Sequence, residues 1–167
     1  MLLRPHLQIN SVTALTPARL SELGLTALLL DVDSTLKPYR STEPLPEVAA
    51  WIETLRAAGI GMCLVSNGRW PRIKPFAETV GLPFVAPAMK PLPSGCRRAV
   101  REMNFDSKTT AMVGDQVFAD VMAARLAGLM AILVRPIRPE EEPWFARMKR
   151  PLERLFLPKK KNKSLES

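Results

Sequence analysis

Residues 28–36 read Leu-Leu-Leu-Asp-Val-Asp-Ser-Thr-Leu, an apolar run that ends in two carboxylates one residue apart. Such a run, followed by the turn signal Lys37-Pro38, predicts a strand buried on both faces. In an extended chain, the side chains of Asp31 and Asp33 point to the same side. Burying two acids is costly without a neighbouring cation, so the pair suggests a metal ion or a nucleophile beside an acid/base group. A lone Asp-x-Asp is more often a solvated strand end. The choice between these two interpretations therefore depends on the other residues of the chain.

The composition is that of one globular domain. The chain has 167 residues, of which 47% are hydrophobic and 24% charged, which is enough apolar content for a single core. No apolar stretch approaches the roughly 18–20 residues that cross a bilayer, and the N-terminus lacks the pattern of a signal peptide. Two isolated cysteines, Cys63 and Cys96, predict reduced thiols. We therefore expect a cytoplasmic protein.

Strand-like apolar runs alternate with stretches of helical periodicity. The predicted strands cover residues 25–32, 60–65, 84–85, 110–113 and 130–134, and the predicted helices cover residues 17–23, 47–58, 71–80, 94–103 and 117–127. This alternation predicts an α/β fold, a three-layer Rossmann-like doubly wound parallel sheet. We expect a lead-in with a short helix over residues 1–24, one α/β domain over 25–146, and a basic tail over 147–167.

Polar side chains follow four of the predicted strands. They are Asp31 and Asp33, Ser66 and Asn67, Lys90, and Asp115. Because ligands of open parallel sheets bind beyond the carboxyl ends of the strands, these residues should converge on one edge. Clustered carboxylates suit Mg²⁺, and a lysine beside hydroxyl and amide groups suits a phosphate. One Asp could attack phosphorus, and the other could act as acid and base.

Each of these elements has an ordinary explanation when it is taken alone. Ser66-Asn67 could be turn chemistry, Lys90 a surface lysine, and Asp115 a helix cap. Their order along the chain, each just after a predicted strand, favours the functional interpretation.

With these residues in place, the chain resembles the haloacid dehalogenase (HAD) superfamily of aspartate-dependent phosphohydrolases over roughly residues 25–134. The sequence Asp31-Val32-Asp33-Ser34-Thr35 resembles its first motif. The resemblance implies Asp31 as nucleophile and Asp33 as general acid/base. It also implies that Asp31, the backbone carbonyl of Asp33 and Asp115 hold Mg²⁺, with Thr35 in a supporting role.

The other motifs of that superfamily follow in order. Ser66 resembles the hydroxyl that binds the phosphoryl group, which Asn67 extends, and Lys90 resembles the third-motif lysine. Residues 114–120 resemble the fourth motif, in which four residues separate two acids. There Asp115 is the implied metal ligand and Gly114 supports the site, while Asp120 binds the metal through water or supports the site.

The motif spacing leaves no room for a cap domain. The gaps from Asp31 to Ser66 and from Ser66 to Lys90 each hold about one helix and one strand, so the resemblance is to the capless subclass III. Within it, the motifs resemble the YqeG-type branch, which is similar to phosphatidylglycerophosphate phosphatases of phospholipid biosynthesis. The implied function is removal of the terminal phosphate to leave phosphatidylglycerol. The alternatives are a phosphatase for another exposed phosphate, on a phosphoprotein, nucleic-acid end or sugar, and a non-enzymatic RNA- or protein-binding module.

The C-terminal tail carries most of the positive charge. Residues 147–167 contribute +6 of the total formal charge of +8, through Arg147, Lys149, Arg150, Arg154, Lys159, Lys160, Lys161 and Lys163 against Glu153 and Glu166. Apolar residues are interleaved, namely Met148, Leu152, Leu155, Phe156 and Leu157. This pattern predicts either a solvated tail or a peripheral anchor on an anionic membrane. If the tail is an anchor, the expected partners are that membrane surface and a phospholipid head group as the substrate. A nucleic-acid partner ranks lower, the oligomeric state stays open, and Pro151 and Pro158 predict only short helical pieces.

Overall fold

Six parallel strands form the middle layer within residues 1–155 and Leu157, the part of the chain that the computed structural model describes. In chain order they are β1 (Leu7–Ile9), β2 (Ala27–Leu30), β3 (Gly61–Val65), β4 (Phe84–Val85), β5 (Thr110–Gly114) and β6 (Met130–Val134). The order across the sheet is β1-β6-β5-β2-β3-β4, and every neighbouring pair is parallel. The predicted α/β architecture is confirmed.

Helices cover both faces of this sheet. In chain order they are α1 (Pro17–Glu22), α2 (Pro46–Ala57), α3 (Trp70–Val80), α4 (Ser94–Glu102), α5 (Met122–Ala127) and α6 (Trp144–Arg154), with 3₁₀ turns at Val12–Ala14, Ser107–Thr109 and Pro139–Glu141. Alternate strand residues point to opposite faces: Leu28 and Leu30 join the core under α1, α2 and α3, whereas Leu29 joins the core under α4 and α5. Each central strand is therefore apolar on both faces, which explains its uninterrupted apolar sequence.

The chain reverses its direction of travel across the sheet between β2 and β5. From β2 it proceeds outward to β3 and β4, and from β5 it proceeds the other way to β6. The carboxyl ends of two adjacent strands at such a reversal leave a crevice between the diverging loops. Asp31 follows β2, and Asp115 follows β5, so both acids lie at this crevice.

Three features of the fold differ from the sequence expectations. The lead-in contributes an edge strand, β1, which pairs with β6 and is too short to show a periodic pattern. The predicted helix over 117–127 begins with a π-helical turn, Val117–Val121, before α5. The prediction of short helical pieces around Pro151 is wrong, because α6 continues through Pro151 as one helix that crosses the predicted boundary at residue 146. A proline removes one helical N–H, and contacts of the residues on both sides of it hold this helix in place.

The cysteines, the helices and the C-terminal tail bear on the remaining sequence expectations. Cys63 and Cys96 are buried and unpaired. None of the described helices combines the length and the hydropathy of a membrane-spanning segment. The tail residues Phe156, Pro158, Lys159, Lys160, Lys161, Lys163 and Glu166 lie outside the described residues.

Candidate active site

The centre of the site is the ammonium group of Lys90. Its Nζ donates hydrogen bonds to Asp31 Oδ1 at 2.8 Å, to Asp120 Oδ1 at 2.7 Å and to the carbonyl oxygen of Val65 at 2.7 Å. Burial alone would lower the pKa of this lysine, but the charges of Asp120 and Asp31 outweigh burial and raise it. Lys90 is therefore a fixed buried cation at the carboxyl edge of the sheet.

Asn67 holds the backbone that carries this lysine. Its side-chain amide donates to the carbonyl oxygen of Lys90 at 2.8 Å, and its side-chain oxygen accepts from the Lys90 N–H at 2.8 Å. Ser66, buried beside it, accepts a hydrogen bond at its Oγ from the Gly68 N–H at 3.0 Å. Its hydroxyl proton remains able to donate to a bound oxyanion.

Asp33 faces a different set of cations. Arg72 of α3 contacts its two carboxylate oxygens at 2.6 and 2.7 Å, and Lys37 contacts Oδ1 at 2.8 Å. The Arg72 guanidinium also lies over the ring of Tyr39, 5.3 Å from its centre. Burial tends to raise the pKa of Asp33, but the hydrogen bonds from Arg72 and Lys37 outweigh it and lower the pKa. Asp33 therefore rests as a carboxylate.

Asp115 is held by groups from distant parts of the chain. Thr35 donates to its Oδ1 at 3.0 Å. Arg150 of α6 donates to its Oδ2 and, at 2.5 Å, to its backbone carbonyl oxygen. Burial raises the pKa of Asp115 to about 6, although the Arg150 charge opposes this rise. Thr35, to which the resemblance assigns a supporting role, therefore contacts the implied metal ligand Asp115.

Asp120 reaches the cluster because Gly114 leaves space for it. A Cβ at position 114 would lie 2.2 Å from the carboxylate carbon of Asp120. Asp120 Oδ2 accepts from the Gln116 N–H at 3.0 Å, while its Oδ1 accepts from Lys90. The π-helical turn places Asp120 and Asp115 at the same cluster, although four residues separate them.

The donor set fits a hard divalent cation. Oxygen atoms of Asp31, Asp115 and Asp120 lie within 4.8 Å of one another, and all three residues are buried. Burial, and after it the charge of Asp120, raises the pKa of Asp31 well above its ordinary value. Carboxylate oxygens at such spacing suit Mg²⁺. The side chain of Asp33 points away from the cluster to Arg72. This orientation agrees with the sequence resemblance, which makes the backbone carbonyl oxygen of Asp33 the metal ligand.

The cluster opens into a cavity of about 300 Å³. Asp31, Asp33, Ser66 and Lys90 line it. Five further residues that belong to none of the sequence motifs also line it, namely Tyr39, Arg72, Glu142, Phe145 and Lys149. Lys37 could have been suspected, since it lies four residues from Asp33. The sequence near Arg72 and Arg150 carries no such signal, because these arginines meet their acids across 39 and 35 residues of chain.

Comparison with known proteins decides the family. A family model described as a haloacid dehalogenase-like hydrolase matches residues 6–128. This chain belongs to the haloacid dehalogenase-like hydrolases. It is therefore an enzyme, a HAD-type hydrolase, and the resemblance in its motifs is confirmed at the level of the family.

Named relatives of this HAD chain are phosphatases. It is 31% identical over 155 residues to a Bacillus subtilis protein named "Probable phosphatase YqeG", covering 93% of this chain and 90% of that protein. It is 23% identical over 171 residues to the chloroplastic/mitochondrial phosphatidylglycerophosphate phosphatase 1 of Arabidopsis thaliana, covering 97% of this chain but only 49% of that protein. A solved structure of a hypothetical protein from Xanthomonas campestris shares the fold, with a TM-score of 0.58, 17% identity, and coverage of 84% and 79% of the two chains.

Proposed function

We propose that this HAD hydrolase is a Mg²⁺-dependent phosphomonoester hydrolase that works through an aspartyl-phosphate intermediate and acts on phosphatidylglycerophosphate. The observation that carries the proposal is the shared contact of Lys90 with Asp31 and Asp120, beside Asp115, at the base of an open cavity. A fixed ammonium group next to a carboxylate cluster suits a phosphoryl group, because both the lysine and a metal ion neutralise its oxygens.

The two aspartates of the first motif divide the reaction. Lys90 binds Asp31 Oδ1, so the proposed attack on phosphorus uses Oδ2. In the first step the new O–P bond forms, the bond from phosphorus to the ester oxygen breaks, and Asp33 gives a proton to the leaving alcohol. In the second step Asp33 takes a proton from water, whose oxygen attacks phosphorus and releases phosphate from Asp31.

The contacts of Asp33 fit the second step directly. Arg72 and Lys37 favour its ionised form, which is the form that accepts a proton from water. The first step needs Asp33 protonated. A bound phosphate offers Arg72 a competing anion, and weakening of the Arg72–Asp33 pair lets Asp33 take up that proton.

Mg²⁺, when bound, would neutralise the charge on the phosphoryl oxygens. Asp31 and Asp115 would hold it together with the carbonyl oxygen of Asp33, and the geometry supports Asp120 as a further ligand, directly or through water. Ser66 and Asn67, which also line the cavity, would position the same oxygens.

The openness of the site supports a large or surface-presented substrate. Only α2 and β3 lie between Asp31 and Ser66, and only α3 and β4 lie between Ser66 and Lys90. Neither segment forms a cap over the cavity. A head group that projects from a membrane could therefore enter without any closing movement of a cap.

The outer face of α6 supports a membrane as the place where the substrate is presented. Trp144, Phe145, Met148, Leu152 and Leu155 of this region are all more than half exposed. The exposed basic residues Arg147 and Lys149 lie among them, and no acid of α6 is exposed. An apolar surface with basic residues and no acids complements an anionic bilayer. Phe145 and Lys149 also line the cavity, so such contact would bring the head group to the site.

The test is phosphate release from phosphatidylglycerophosphate in anionic vesicles, with and without Mg²⁺. A phosphopeptide, a 5′-phosphorylated oligonucleotide, a sugar phosphate and a soluble aryl phosphate complete the substrate panel. We expect the lipid to have the highest kcat/KM and Mg²⁺ to be required. A higher kcat/KM for another member would reject the lipid substrate while leaving the phosphatase chemistry in place.

The nucleophile is tested by Asp31→Asn. Because attack by the carboxylate is lost, we expect the rate to fall at least about 10³-fold with the fold retained. Asp106→Asn is the matched control, since Asp106 is exposed and caps a 3₁₀ turn away from the cavity. Activity of Asp31→Asn close to that of the control would remove Asp31 from this role.

A further inference from the structure

Helix α6 has an inner face that is unusually polar. The large apolar side chains of this helix are exposed, whereas the side chains of Arg150 and Glu153 point into the protein. Glu153 is 4% exposed and accepts a hydrogen bond from the Phe118 N–H at 3.2 Å. A solvated tail would have the opposite arrangement. The inner face must therefore be understood through what Arg150 and Glu153 contact.

Arg150 contacts Asp115, the fourth-motif acid that the sequence resemblance makes a metal ligand. Its guanidinium donates to Asp115 Oδ2 through Nη2 and to the Asp115 carbonyl oxygen through Nη1. Thr35 holds Asp115 Oδ1. These three hydrogen bonds fix both the rotation of the carboxylate and the backbone that carries it. We propose that Arg150 is a positioning residue for Asp115, so that the C-terminal helix completes the metal site.

This inference rests on the proposed Mg²⁺ dependence and adds a residue that the HAD motifs do not contain. Partners that orient a ligand from outside the metal's coordination shell determine how well a site binds. Carboxylate oxygens have about four lone-pair sites between them. Asp115 can therefore keep its bonds to Thr35 and Arg150 and still offer an oxygen to the ion.

Arginine is the side chain that this geometry requires. The guanidinium serves Asp115 at two atoms and, at the same time, contacts both carboxylate oxygens of Glu142, with Nε at 3.2 Å from Oε2. A lysine provides one ammonium group on a flexible stem and cannot reproduce this planar fork.

An alternative role for Arg150 is to act as a positive charge that replaces the metal ion. The charges of the acids around Arg150 support this alternative less well. Its guanidinium is shared with two other buried acids, Glu142 and Glu153, the latter at 3.7 Å. Those two glutamates offset its charge. Among the residues that the structure describes, Asp31, Asp115 and Asp120 together then have only Lys90 as a balancing cation, so a surplus of negative charge remains for a divalent ion.

The test measures Mg²⁺ binding to the full-length protein by calorimetry, for the wild type, Arg150→Lys and Arg150→Met. We expect both variants to bind Mg²⁺ about 10–100-fold more weakly, the usual effect of removing an orienting partner. Arg98→Met is the matched control, since Arg98 pairs with Glu102 at 2.8 Å on the exposed side of α4 and should leave Mg²⁺ affinity unchanged. Circular dichroism verifies folding, and Arg150→Lys keeps the charge if Arg150→Met fails to fold.

A merely structural role would lower activity at every Mg²⁺ concentration. A positioning role predicts that high Mg²⁺ restores most of kcat on a soluble aryl phosphate, with KM for that substrate little changed. Equal or tighter Mg²⁺ binding by the Arg150 variants would overturn the proposal, and tighter binding would support competition with the metal. If the wild type binds Mg²⁺ but does not hydrolyse the lipid, the substrate proposal fails alone. If the wild type does not bind Mg²⁺, both proposals fail.

Discussion

Replacing Gly114 by alanine should displace Asp120 from the acid cluster. The new Cβ would lie 2.2 Å from both Cγ and Oδ2 of Asp120 and 2.6 Å from its Cβ, whereas ordinary contacts begin at 3.4 Å. The shortfall of about 1.2 Å cannot be relieved by rotating a flexible side-chain end, because the Asp120 Cβ is also too close. Gly114 does not have a positive φ, so alanine adds no backbone strain, and the collision is the whole effect.

The expected loss follows from what Asp120 contacts. A shift of 1 Å would break or stretch its 2.7 Å bond to Lys90 and its 3.0 Å bond to the Gln116 N–H. Misplacement of an active-site group by about 1 Å can cost about 10²-fold in rate. Forcing an extra methyl group into a packed site also costs about 1–3 kcal/mol of folding free energy. We therefore expect kcat/KM to fall about 100-fold, with a modest loss of stability.

The assay is Mg²⁺-dependent hydrolysis of a soluble aryl phosphate, together with urea unfolding. Gly59→Ala is the control, because Gly59 has a φ of +76° and open space around it, at the opposite end of the sheet. That variant should lose about 1 kcal/mol of stability through backbone strain, with kcat/KM unchanged. If Gly114→Ala kept the wild-type kcat/KM, the claim that Asp120 needs this space would be refuted.

Two further predictions concern Arg72 at the cavity and the outer face of α6. Arg72→Met should destabilise the protein by about 1 kcal/mol at pH 7, a value discounted for the exposure of Arg72. Because the folded pKa of Asp33 lies below its ordinary value of 3.8, the pair stabilises above that value, and the difference between variant and wild type in urea unfolding should shrink as the pH falls through the folded pKa. A difference that stayed constant down to pH 2 would contradict this pairing. The double variant Met148→Ser/Leu152→Ser should weaken vesicle binding in a sedimentation assay by about 30-fold, or about 2 kcal/mol for two shallowly inserted side chains. Unchanged vesicle binding by the double variant would contradict a membrane-contacting face. So would a loss of activity on a soluble aryl phosphate equal to the loss of activity on the lipid in vesicles.

The convergence of the candidate site residues on one edge could be predicted because parallel strands all end at the same side of the sheet. Asp31, Ser66 and Asp115 each follow a strand directly, and Lys90 follows β4 after four residues, so the order of strands and polar residues was enough to bring them together. Local spacing also placed Asp120 near the site. It could not show that Lys90 joins Asp120 to Asp31, because that contact depends on the space beside a glycine.

The cations around the acids could not be predicted in the same way. Arg72 reaches Asp33 from the first turn of α3, and Arg150 reaches Asp115 from a helix that begins 29 residues after that acid. No periodic pattern connects such pairs, since they depend on how two loops and a helix pack. The density of basic residues near Arg150 instead favoured a solvated or membrane-bound tail.

The two faces of α6 change how the tail must be tested. Deleting all residues after Arg147 is the obvious experiment for a membrane anchor, and it should spare a soluble aryl phosphate if the tail does nothing else. The structure makes this experiment ambiguous, because the deletion also removes Arg150 from Asp115 and Glu153 from the Phe118 N–H. Loss of activity on the soluble substrate after deletion would then report on the proposed metal site and not on membrane contact. Only substitutions confined to the outer face, with Arg150 and Glu153 intact, separate the two roles.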